Sequence, residues 1–64
     1  MNIKLWDGNV WSDEMSVRDL AEAQDEAQQW AWNGDYQTEI VCVRICDVDG
    51  ETIDTVNVEI AQDQ

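Results

Sequence analysis

Carboxylates are the chemically able side chains that this sequence holds in quantity: fifteen Asp and Glu stand against three bases, with no histidine. Two carboxylates can share general acid and base work, but only where a desolvated cleft drives their pKa values apart. The acids here fall on what reads as an exposed helix face and a hairpin, and neither offers such a cleft. The other able groups are the thiols of Cys42 and Cys46. Without a histidine they lack the usual base that activates a nucleophile, and their number and spacing fit no ordinary zinc site. On one strand, four residues put them about 13 Å apart at about 3.3 Å per residue, beyond the ~7 Å that a disulfide tolerates. They read as reduced, packed thiols, which suits a reducing compartment. Asp47-Val48-Asp49-Gly50-Glu51 has the outline of a calcium loop, yet an EF-hand needs an acid where Ile45 stands and a Glu where Val56 stands. That pattern belongs to a turn. The sequence assigns no catalytic residue, no metal ligand and no cofactor, and the chain is expected not to be an enzyme.

What the carboxylates can do is bind. The formal net charge of -12 exceeds the magnitude of about 2–8 that suits a small domain, and self-repulsion on that scale opposes compaction. Glu22 and Glu26 are one helical turn apart, and Asp19 and Asp25 each stand three residues from Glu22. Like charges at these spacings cost a helix about 0.2–0.5 kcal/mol per pair. Arg18 alone is close enough to offset them, whereas a face kept only for solubility normally mixes in lysine. Asp19, Glu22, Asp25 and Glu26, together with Asp47, Asp49 and Glu51 of the hairpin, are therefore the candidate partner-binding residues. Asp7, Asp13, Glu14, Asp35, Glu39, Asp54 and Glu59 extend the anionic exterior. The expected partner is a protein with a basic groove, while direct contact with nucleic acid or an anionic membrane is opposed by phosphate repulsion. A hydrophobic content of 44% with four Trp argues against an acidic disordered tail. No apolar run is long enough for a signal peptide or a membrane span, so the expected compartment is the cytoplasm.

The elements that must position these acids follow from periodicity. Sixty-four residues make one domain, 1–64. Ile3 to Trp6 alternates as a first strand, closed by Asp7-Gly8-Asn9. A tight turn there places Trp6 opposite Trp11 as a cross-strand aromatic pair. Ser16 suits a helix N-cap with Asp19 three residues on, and Met15 and Leu20 form a hydrophobic staple. The helix body is expected over 17–32, stopped by Asn33-Gly34. Its apolar side gathers Val17, Leu20, Gln24, Ala27 and Ala31, with Trp30 and Trp32 on the flanks.

Residues 39–48 and 51–60 form a hairpin around Asp49-Gly50. Pairing outward sets Ile45 against Asp54, Val43 against Val56, Val41 against Val58 and Glu39 against Ile60, which puts the valines on one face. The other face carries Ile40, Cys42, Arg44, Cys46, Ile53 and Thr55, more apolar than a solvated face needs. Either the Trp6–Trp11 region folds over it or it is an interaction surface, and it could support a homodimer. The expected fold is α+β, β-α-β-β, with one helix on a small three-stranded, mostly antiparallel sheet. A first strand alongside the last would be reached by a right-handed crossover.

This profile resembles the small acidic anti-CRISPR proteins of phages and mobile elements. It rests on 64 residues, one capped helix with Asp19, Glu22, Asp25 and Glu26, and an acid-rich hairpin. The inhibitors of type I systems are the nearest in character. The resemblance implies an inhibitor that occupies a basic, DNA-binding surface of a CRISPR surveillance complex by charge mimicry or steric occlusion. Anti-restriction DNA mimics and acidic accessory proteins share the profile. The alternative class is a small interaction or dimerisation module that uses the Cys42, Cys46 and Ile53 face.

Overall fold

In a computed structural model, which describes residues 1–34 and 36–60, the strongest sequence signal is also the structural centre. β3 (Ile40–Cys46) and β4 (Thr52–Glu59) form an antiparallel hairpin with Val41 paired to Val58, Val43 to Val56 and Ile45 to Asp54. The Ile60 N–H donates to the Glu39 carbonyl at 2.7 Å, so the expected register holds from Glu39 to Ile45 and fails only beside the turn. The turn itself is wider than two residues. Gly50 N–H donates to Asp47 C=O and Asp47 N–H to Glu51 C=O, at 3.0 and 2.9 Å, and Gly50 has φ 91°. This is a three-residue loop with a left-handed glycine. It slips the register by one residue, and a bulge beside Ile45 and Cys46 restores it.

β1 (Asn2–Trp6) lies against β3, antiparallel, with Lys4 opposite Cys46, Leu5 opposite Ile45 and Trp6 opposite Arg44. It does not border β4, so the parallel crossover is not formed. β3 is the most apolar strand, and the central position covers both its edges. β4, which carries Asp54 and Glu59, is left at the sheet edge, where charge blunts unwanted pairing.

The sheet has four strands, not three, in the order β2-β1-β3-β4. β2 (Met15–Ser16) pairs with Ile3 and Asn2. Trp11 bridges Trp6, and Ser12 exchanges bonds with Leu5, its N–H donating to the Leu5 carbonyl and its Oγ accepting from the Leu5 N–H, both at 2.9 Å. Residues 11–17 thus run back along β1, slipping by one residue between Ser12 and Met15. Val17 closes this run on the first residue, its N–H donating to the Met1 carbonyl at 2.8 Å.

That use of Ser16 and Val17 moves the helix start. α1 (Leu20–Trp32) is capped by Asp19, whose Oδ1 accepts from Glu22 N–H at 2.9 Å. The Ser16 cap and the staple are not formed, because those residues are extended beside β1. Asn33 ends the helix as expected, donating to the Gln29 carbonyl. The buried stripe is Ala23, Ala27 and Ala31, each 0% exposed. Leu20 is exposed in the first turn, and Val17 reaches the core from outside the helix. Methyl-sized side chains let α1 sit close on Ile3, Leu5, Val41, Val43, Ile45 and Val58, which complete the core.

Candidate functional site

Two side-chain bonds orient the helix on the sheet. Gln24 Nε2 donates to Asp54 Oδ2 at 2.9 Å, and Trp32 Nε1 donates to the Glu59 carbonyl at 3.1 Å. The helix therefore runs alongside β4 in the same direction, with its N-terminal half at the hairpin-turn end. That topology turns the start of the helix toward the hairpin turn. Asp19 and Glu22 stand at the helix start, on the side of the turn formed by Asp47, Asp49 and Glu51, while Asp25 and Glu26 stand at the middle of the helix.

The seven acids are not equivalent. Asp19 caps the helix. Asp47 Oδ1 accepts from the N–H groups of Asp49 and Glu51, at 3.0 and 2.9 Å, and holds the turn. Glu22 Oε2 is 3.0 Å from Arg18 Nε. Neighbouring Asp54 has its carboxyl held below the ordinary value by the Gln24 amide, aided by the Thr55 N–H. The side-chain carboxylates of Asp25, Glu26, Asp49 and Glu51 are exposed and, among the described residues, bear no cap, turn bond or ion pair. At 100° per residue, Asp25 points roughly 160° away from the Ala stripe. Asp35 lies outside the described residues. Among the described residues no three His, Cys, Asp or Glu side chains are grouped to hold a metal ion.

Comparison with protein-family models, curated proteins and solved structures finds no match to this chain. The site is read from its own geometry.

The sheet face away from the helix is the second surface. Register places Lys4, Trp6, Cys42, Arg44, Thr55 and Asn57 on it. Trp11 folds onto Trp6 with ring centroids 4.8 Å apart, and Lys4 Nζ lies 5.2 Å from the centroid of the Trp11 ring. The aromatic pair was expected, and it covers only part of the face: Ile40 is 61% and Ile53 47% exposed. Of the two thiols expected to be packed, Cys42 is exposed and Cys46 is buried, 1% exposed. Cys46 sits between Lys4 on β1 and Thr52 on β4, whereas Cys42 lies beyond the end of β1 and is open on that side. Both cysteines are free thiols.

A third feature lies at the end opposite the hairpin turn. Asp7, Val10, Trp30, Asn33, Tyr36 and Val41 are among the residues that line an open groove of about 660 Å³. Asp7 Oδ1 accepts from the N–H groups of Asn9 and Val10, each at 2.8 Å, and Oδ2 accepts from the Tyr36 hydroxyl at 2.8 Å. Burial raises the Asp7 pKa, but the hydrogen bonds from Val10, Tyr36 and Asn9 outweigh it and hold the carboxyl below the ordinary 3.8. Burial and the neighbouring Asp7 carboxylate push Tyr36 up to about 12. The sequence marked Asp7 as a turn residue and as one of the exterior acids. Nothing local could link it to Tyr36, twenty-nine positions away. No described helix is long and apolar enough to cross a membrane.

Proposed function

We propose that this protein is a cytoplasmic binding module, not an enzyme, and that its acidic end docks onto a basic, nucleic-acid-binding surface of a protein partner. The observation that carries this reading is that the carboxylates of Asp25, Glu26, Asp49 and Glu51 are exposed and, among the described residues, bear no cap, turn bond or ion pair. Carboxylates held on a capped helix and a tight turn are pre-organised, so little conformational entropy is lost when they meet arginines and lysines. Association is fast and salt-sensitive, because opposite fields steer the encounter. The specific partner that the resemblance implies is a type I CRISPR surveillance complex, and the function is then inhibition of target DNA binding.

Competition tests this. The purified protein is titrated into a type I surveillance complex with and without double-stranded target DNA. Mutually exclusive binding is expected. Simultaneous binding of protein and DNA with unchanged affinity contradicts occupation of the DNA site. Failure to bind across several subtypes removes the CRISPR partner.

The uncovered sheet face favours a second reading, a module that pairs or docks through Ile40, Cys42 and Ile53. Light scattering separates the two readings. A stable dimer that Ile40→Lys dissociates supports the face, and a monomer at all concentrations removes the homodimer.

A further inference from the structure

The groove at the far end from the hairpin turn has the chemistry of a receptor for one positive side chain. Its walls are aromatic and aliphatic, from Trp30, Tyr36, Val10 and Val41. Its volume of about 660 Å³ lies within the ~300–1,000 Å³ typical of ligand pockets. Two independent sources make it electronegative. One is the Asp7 carboxylate, fixed by two backbone N–H groups and the Tyr36 hydroxyl. The other is the C-terminal end of α1, whose Asn33 and Gly34 line the groove and whose last turn contains no basic residue. A helix C-terminus carries about half a negative charge and favours a cation.

The chain's own bases are placed elsewhere. Arg18 precedes the helix and pairs with Glu22, while Lys4 and Arg44 stand on the open sheet face. We infer that this groove takes an arginine side chain of a partner protein, with the guanidinium against the Trp30 ring and facing the Asp7 carboxylate. Arginine suits it better than lysine, because the planar guanidinium stacks on aromatic faces and is more weakly hydrated than an ammonium. The site is separate from the acidic end, so either can fail without the other.

The test is a ¹H–¹⁵N NMR titration of the full chain with Nα-acetyl-arginine amide. The matching citrulline amide, which is neutral and nearly isosteric, is the control. The arginine probe is expected to give saturable shifts at Asn9, Val10, Gly34, Thr38 and the Trp30 indole. The citrulline probe is expected to bind at least about fivefold more weakly, the effect of one charge pair a few ångströms apart in water. Asp7→Asn weakens the arginine probe by a similar factor. Tyr36→Phe keeps the charge, releases Oδ2 and holds or tightens binding, which separates loss of charge from loosening of the turn. Three results would overturn the inference: equal binding of the citrulline probe, equal binding of the lysine amide, or shifts confined to Asp19–Glu26 and Asp47–Glu51.

Discussion

The acidic end and the open sheet face differ in what the fold does with their polar groups. At the acidic end, Asp19, Glu22 and Asp47 are tied to a cap, an ion pair and a turn, while Asp25, Glu26, Asp49 and Glu51 are left in water. On the open face two of the three bases, Lys4 and Arg44, stand among Trp6, Trp11, Ile40 and Ile53. A coat of charge kept only for solubility would mix the signs over the whole surface. On the proposed reading, the two regions suit different neighbours, one basic and polar, the other more apolar.

The largest effects should separate core from face along β3. Ile45→Ala removes a side chain that is 0% exposed and should cost about 2–5 kcal/mol by urea denaturation. Ile40→Ala, on the same strand but facing outward, should cost no more than about 0.5 kcal/mol. A large loss at Ile40 would mean that this face is already buried, as in a dimer.

The next effects divide the acids. Asp19→Ala should cost about 1 kcal/mol, the worth of an N-cap. Glu26→Gln should be neutral or slightly stabilising, because it removes a like charge one turn from Glu22, worth a few tenths of a kcal/mol at about 0.2–0.5. Equal costs at both positions would erase the distinction between structural and free carboxylates.

A separate effect lies in alkaline titration of the groove. Tyr36 is raised from 10.0 to about 12, so the folded state favours its protonated form. Its contribution is fully present below pH 10 and is lost as the pH rises towards about 12. Tyr36→Phe should remove this part of the stability decline, followed by circular dichroism. Asp7 behaves in the opposite sense: its lowered pKa contributes above about 4 and is lost on acidification.

How much could be read in advance depended on range. The Val41–Val58, Val43–Val56 and Ile45–Asp54 pairs follow from a turn signal and a period of two, both local. The Asn33 stop and the Trp6–Trp11 pair are local too. β2 was not legible, because two residues hold no periodicity, and Ser16 has the chemistry of a cap wherever it stands. Once Val17 binds Met1, Asp19 is the next residue able to cap, and Asp19-x-x-Glu22 offers the same spacing signature three residues later. Cys46 is packed as expected and Cys42 is not, because strands flank Cys46 on both sides, through Lys4 and Thr52, and Cys42 on one side only. The candidate acids were legible as a set. Which of them the fold uses was not, since caps and turn bonds depend on where each element starts.

The central claim is that the free carboxylates of the acidic end make the partner contact. The direct measurement compares the wild-type chain with a variant carrying Asp25→Asn, Glu26→Gln, Asp49→Asn and Glu51→Gln, binding a type I surveillance complex over a salt series. These changes leave the cap, the Arg18–Glu22 pair and the Asp47 turn in place. The account predicts wild-type binding that weakens steeply with salt, and variant binding that is weaker with a flatter salt dependence. Equal affinity and equal salt slope for the two would contradict it.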